Sequence, residues 1–289
     1  MDGENIHIRK LATADDYHAC ETVQRAVWRT GDLDIVPLHL LVTIQKNGGL
    51  VLGAFDETDR MFGFLVGFLG GRDGDVSRPK HCSHMMGVLE EARGHGVGYR
   101  LKCAQREFAL RQRLDLVTWT YDPLESLNAA LNIGKLGAVC STYIRDLYGP
   151  MTDGLNAGLA TDRFQVDWWI DSDRVAERVA GRRPRPSLAE ALDGEAPVLN
   201  PAIRRSDGLL EPSNETRPLG DGRVVVEIPA RIQEIKAPAP TLACRWREQT
   251  RELFEACFAA GYAVIEFVSE SHDGDRRSYY VLEQDTEVI

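Results

Sequence analysis

No two of the six cysteines are close enough to make a Cys-x-x-Cys pair: Cys20, Cys82, Cys103, Cys140, Cys244 and Cys257 are scattered along 289 residues. That spacing supplies neither a metal-ligand set nor a disulfide frame. It reads as the reduced, mostly buried thiols of a cytoplasmic protein with no metal. Long apolar runs are also lacking. None approaches the roughly 18–20 residues that cross a bilayer, so no membrane partner is expected. The opening Met1-Asp2-Gly3-Glu4 has no basic and no apolar region, and no signal peptide is expected. Positive charge is in deficit: 34 Lys and Arg against 44 Asp and Glu leave a net −10. A general nucleic-acid binder needs a basic surface to neutralise phosphates, which excludes that class.

What is present is a core. Hydrophobic residues make up 43% and charged residues 27% of the chain, the balance of a packed globular protein. Ile6 to Leu11 alternates apolar and polar as a half-buried strand does. Thr13, followed by Asp15 and Asp16, caps a helix on which Tyr17, Cys20, Val23 and Val27 recur at helical spacing. A short helix is expected over 37–46, then strands over 49–55 and 61–69. Residues 70–80, rich in Gly, Asp and Pro, read as a loop before a strand from His81 to Leu89. A glycine-rich turn leads into a helix from about Gly96 to Arg113, and a strand over 115–121 follows. Asp122-Pro123-Leu124-Glu125 reads as N-cap, first helical position and capping box of a helix that stops near Gly137. Strands over 138–143 and 165–170 complete the order.

The composition then changes. Residues 172–222 carry Pro, Gly and charge with little periodicity and read as a linker with at most one short helix. Order returns as strand 224–229, helix 243–260 with Trp246, Phe254 and Phe258 as core anchors, and strands 263–268 and 278–282. This order parallels strand 115–121, helix 124–136 and the two strands after it, which suggests a half-repeat. The expected domains are therefore 1–171, a linker over 172–222, and a smaller C-terminal α+β segment over 223–289 that packs on the first.

The stretch that carries chemistry is Val88-Leu89-Glu90-Glu91-Ala92-Arg93-Gly94-His95-Gly96-Val97-Gly98-Tyr99-Arg100. A strand passes into a helix through glycines, where backbone N–H groups and the positive helix end attract an anion. The helix is basic in an acidic protein: Arg93, Arg100, Lys102, Arg106, Arg111 and Arg113 face the single acid Glu107. A multiply phosphorylated ligand accounts for both features. The turn is not a P-loop, because no Gly-Lys-Ser/Thr ends it, and Gly94-x-Gly96-x-Gly98 lacks the dinucleotide spacing.

Arg-x-x-Gly-x-Gly from Arg93 to Gly98 resembles the acyl-CoA pyrophosphate loop of the GNAT superfamily of N-acyltransferases. The element order over residues 6–171 matches that fold, and Lys135-Leu136-Gly137-Ala138 resembles the end of its fourth helix. With Asp122 to Asn128 and Trp168-Trp169, the whole chain resembles a bacterial subgroup of predicted acetyltransferases with a long C-terminal extension. The resemblance implies an α/β (α+β) fold with a mixed, mostly antiparallel central sheet flanked by helices. It implies acetyl-CoA or another acyl-CoA as co-substrate. Arg93, Gly94, His95, Gly96, Val97 and Gly98 would hold the pyrophosphate, and Val88 and Leu89 would pair with the pantetheine arm. Ser126 or Asn128, depending on the alignment of the fourth helix, would contact its thiol end. The family's general acid, a Tyr in that helix, falls on Ile133; Asn132, Tyr143 or Tyr121 are the substitutes, and Tyr143 is the one selected. No acid lies inside the strand before the loop, so His84 is the candidate general base, with His81 second. The implied activity is transfer of an acyl group, most simply acetyl, to the amine of a small molecule such as an amino acid. The alternative is an acyl-CoA-binding sensor or scaffold without turnover. A homodimer is among the assemblies expected.

Overall fold

The computed structural model describes residues 6–29, 34–151, 156–192, 196–272 and 274–284. The chain forms two compact units that divide after Trp119, not at residue 171. Among the described residues the first holds 6–29, 34–119 and 169–171, and the second the remainder.

The first unit is a three-layer sandwich. Strands β1 (His7–Lys10), β2 (Leu50–Phe55), β3 (Met61–Arg72) and β4 (Asp75–Val88) pair antiparallel in sequence order. β5 (Leu116–Tyr121) joins β4 in parallel through His81↔Val117 and Cys82↔Thr118. Helices α1 (Ala14–Trp28) and α2 (Leu38–Lys46) cover one face over Val51, Phe55, Phe64 and Val66. Helix α3 (Val97–Arg111) covers the other over Leu50, Leu52, Ala54 and Leu65. β2 is buried on both faces, which is why it reads as a continuous apolar run. α1 starts where the sequence places it. Thr13 accepts from the Asp16 N–H, and the Asp16 carboxylate returns the bond to the Thr13 N–H, a full capping box.

Residues 70–80 are not a loop. They are the two arms of the β3–β4 hairpin, turned at Asp73 (φ 53°) and Gly74 (φ 81°). Two consecutive left-handed residues match the twist of a hairpin, and Asp-Gly is a favoured pair for it.

The second unit takes the C-terminal end of β5 and strands β6 (Val139–Ile144), β7 (Arg163–Trp169), β10 (Arg223–Ile228), β11 (Tyr262–His272) and β12 (Asp275–Gln284). β11 pairs antiparallel with β6 at Val264↔Cys140, and β12 lies between β11 and β10. The orders β5-β7-β6 and β10-β12-β11 run in mirror sense along the sheet. Phe164 is at the centre of an aromatic cluster with Tyr121, Tyr143, Phe254, Phe258 and Tyr280, its ring 4.7 Å from that of Phe254.

Two further expectations change here. Asp122 does not cap a helix: its Oδ1 accepts from the Leu124 N–H 2.8 Å away, and Glu125 accepts from Gln233. Helix α4 (Ser126–Ala129) therefore starts later and widens into a π-helix, Ala130–Lys135, before Gly137 ends it at φ 74°. Residues 172–222 are not a linker. They form α5 (Asp173–Val179), α6 (Leu188–Leu192) and the ribbon β8 (Ala202–Arg204)–β9 (Leu210–Pro212). Ser172 caps α5, and Arg178 on that helix reaches Glu266 of β11 at 2.5 Å, both buried.

Glu266→Leu leaves the Arg178 guanidinium buried without its carboxylate and is expected to cost about 3–5 kcal/mol in urea unfolding. Arg178→Met together with Glu266→Leu is expected to recover most of that loss. Wild-type stability in the single variant would return 172–222 to the status of a linker.

Candidate acyl-CoA site

The glycine turn has the geometry of an anion cradle. Gly94 (φ 81°) and Gly96 (φ 78°) are both left-handed, and a Cβ on either would meet nothing within 4 Å. The conformation, not crowding, requires glycine there, and the space above both is open. Gly96 is the residue before α3, and no side chain caps the helix. The N–H groups of Val97, Gly98 and Tyr99 precede the first intrahelical bond, Arg100 N to Gly96 O at 3.0 Å. Arg93, Gly94, His95 and Gly96 are exposed. Arg93 Nε donates to the Val88 carbonyl at 3.2 Å, fastening the turn to the end of β4. His95 Nδ1 is 2.9 Å from the Arg93 carbonyl, so Nδ1 carries the proton. Val88, Leu89 and the residues of the turn are thus gathered at one end of β4.

The rest of the basic helix is committed elsewhere. Arg100 donates to the Ile6 carbonyl, and Arg106 to that of Ile170 at 2.7 Å. Lys102 is 2% exposed. Arg100, Lys102 and Arg106 are thus engaged inside the unit, and Arg111 and Arg113 lie exposed at the far end of the helix from the turn.

β4 contains the less visible half of the site. Val66 pairs with Met85 and Gly67 with Ser83, so His84 is an extra residue, a β-bulge. The bulge resets the alternation of side chains. His81 and Ser83 before it lie beneath α3 with Phe108 and Lys102. After it, the even-numbered Met86 and Val88 pack in the α3-side core while Met85 joins the α1–α2 core. His84 is exposed, its ring 5.8 Å from that of Phe68. Partial burial moves its pKa below the usual imidazole value, so at neutral pH the ring is an unprotonated base. Beyond Cys82, β4 keeps its ladder to β3 while its ladder to β5 has ended. The open edge leads to the glycine turn.

The other sequence candidates have different surroundings. His81 is fully buried, both ring nitrogens lack hydrogen-bond partners, and burial with the nearby Lys102 charge lowers its pKa to about 4. It is a neutral core histidine. Ser126, Asn128, Tyr121, Asn132 and Tyr143 belong to the second unit. Ser126 is buried and donates to the Ala230 carbonyl, whereas Asn128 is exposed. Tyr143 donates to Asp162 at 2.6 Å, and burial raises its pKa. Tyr121 and Tyr280 hydroxyls are 3.0 Å apart, and Tyr280 donates to the Pro123 carbonyl, which makes Tyr121 the donor of the pair. Ile133 and Asn132 are buried in the π-helix. Sequence reasoning missed the bulge and Lys102. Neither has a signal in the sequence; Gly67 shows its role only in the fold, where a Cβ would stand 2.2 Å from His81 Nε2. Among the described residues no group of His, Cys, Asp and Glu is placed to hold a metal. No described helix is long and apolar enough to cross a membrane.

His81 gives a pH test. Its folded pKa of about 4 lies below the ordinary 6.5, so the unfolded chain protonates first. Stability is complete above pH 6.5 and falls between 6.5 and 4, by about 3 kcal/mol from this group. His81→Leu is expected to flatten the loss between pH 6.5 and 5 in urea titrations. An unchanged slope would contradict the neutral assignment.

No family model and no curated protein matches the chain. Solved structures do. The N-acetyltransferase from Staphylococcus aureus Mu50 shares 16% identity at TM-score 0.47, over 58% of this chain and 100% of its own. The ribosomal-protein-S18-alanine N-acetyltransferase from Escherichia coli shares 14% at TM-score 0.44, over 58% and 95%. A chain of the NatC complex bound to Gag peptide and CoA shares 14% at TM-score 0.45, over 56% and 97%. Each of these matches covers somewhat more than half of this chain and nearly all of the solved one.

Proposed function

We propose that the chain is an acyl-CoA-dependent N-acyltransferase that moves an acyl group, most simply acetyl, to the amine of a small molecule such as an amino acid. The observation that carries this reading is one strand with two features. β4 presents an exposed, neutral imidazole at its bulge and ends in an open turn of left-handed glycines at an uncapped helix. The residues suit the co-substrate. The N–H groups at the start of α3 and the space over Gly94 and Gly96 fit a pyrophosphate. The open edge of β4 offers backbone groups to the amides of a pantetheine arm, as an added strand would use them.

Bound there, acyl-CoA supplies an activated thioester. The chain's part is to hold both reactants in one place and to manage the amine's proton. His84, neutral at pH 7, accepts that proton as the N–C bond forms and the C–S bond breaks. Tyr143 has its proton committed to Asp162, and a thiolate of low basicity departs without an acid. The same engagement of Tyr121 and Tyr143, with Ile133 at the family's acid position, favours the second reading, an acyl-CoA-binding module without turnover.

Free-thiol release from acetyl-CoA, with and without a library of small amines, separates the two. Transfer requires amine-dependent release, and a binding module gives none. Gly98 has helical backbone, unlike Gly96, so Gly98→Leu is compatible with the helix while adding a side chain in its first turn. It is expected to weaken CoA binding at least about tenfold by calorimetry, and unchanged affinity would move the site elsewhere. His84→Ala is expected to lower kcat about 100-fold at neutral pH, with a smaller loss at high pH where the amine is already deprotonated. The wild-type acid limb should fall below pH 6.5, because burial depresses the His84 pKa. Wild-type rates in His84→Ala at every pH would remove His84 from the mechanism.

A further inference from the structure

Lys102 lies in the second turn of α3, the helix that begins at the glycine turn. Its amine is buried, where water no longer stabilises the charge, and its pKa is driven well below the usual lysine value. Nζ donates to Ser83 Oγ at 2.8 Å and to Gln105 Oε1 at 3.1 Å, and stands 3.5 Å from the centre of the Trp119 ring. An apolar side chain of the same length would suit this position better by burial alone. The contacts are informative by location. Ser83 is the residue immediately before the bulge at His84. Trp119 follows Thr118, the last β5 residue paired with β4. The amine therefore stands where the two strands cease to pair and spans both.

We propose that Lys102 is a positioning residue: through Ser83 and Trp119 it fixes the bulge that presents His84 and the point where β4 and β5 part. The role rests on the acyltransferase reading and deepens it. It ties the helix at the pyrophosphate turn to the strand that bears the base, so that both are set by one side chain. A polar group at an energetically unfavourable place is expected where function outweighs stability.

The test uses the full chain with acetyl-CoA and the best amine from the library. Lys102→Met is expected to unfold at the same temperature as wild type or higher, and to bind CoA within about threefold of wild type. Its kcat is expected to fall about tenfold, with the acid limb of the kcat profile displaced. In a His84→Ala background the same substitution is expected to cost nothing more, because it acts through His84. Wild-type kcat and pH profile in Lys102→Met would overturn the proposal. An equal loss in the His84→Ala background would overturn it too, since Lys102 would then act elsewhere. Should Lys102→Met fail to fold, Ser83→Ala removes the bond and keeps the amine. It is expected to lower kcat about threefold with the same dependence on His84, and wild-type behaviour would overturn the proposal. A wild-type protein that binds no CoA sinks the acyltransferase reading and this role with it, an outcome distinct from a functional wild type with an indifferent Lys102.

Discussion

The bulge at His84 is the constraint on which the first unit turns. A regular strand sends successive side chains to opposite faces, so one register gives one assignment of faces along its whole length. One extra residue between Ser83 and Met85 breaks that rule. It lets His81 and Ser83 lie under α3 while Met86 and Val88, of opposite parity, pack on the same side. It turns His84 away from both sets, beside Phe68. The β5 ladder ends one residue before Ser83. An exposed imidazole, the end of the β5 ladder and a change of face thus meet around a single inserted residue.

The polar groups beneath α3 follow from the same place. Lys102, Ser83, Gln105 and His81 form a buried cluster under the bulge. Gly67 lets the His81 ring approach the neighbouring strand, as a Cβ there would stand 2.2 Å from Nε2. Unpaired nitrogens on His81 and Gln105 mean the cluster is incompletely satisfied, which burdens stability. In the second unit one buried carboxylate is fully satisfied. Asp162 accepts from Nε and Nη2 of Arg251, from the Tyr143 hydroxyl and from the Asp146 N–H, and its charge is fully engaged.

Much of this was legible in the sequence. Thr13 announced α1, Gly96 announced α3, and Gly137 announced the end of the fourth helix, because caps and left-handed positions require particular residues. The glycine turn was legible for the same reason. What escaped reading had no local signature. Gly70-Gly71 and Pro79 resemble loop residues, yet edge-to-edge pairing carries β3 and β4 through them to Asp73-Gly74. Residues 172–222 lack periodicity because their elements are short, none longer than the seven residues of α5. The bulge depends on the register with β3, which no spacing within β4 reveals. Lys102 read as one more charge of a basic helix; only tertiary packing buries it.

The central claim is that the turn from Arg93 to Gly98 and the free edge of β4 receive acyl-CoA. Hydrogen–deuterium exchange of the full chain, with and without CoA, tests it at the backbone groups concerned. The account predicts slowed exchange at the N–H groups of 94–99 and along 83–89, with little change over 223–284. Protection confined to other segments, or none at saturating CoA, would contradict it.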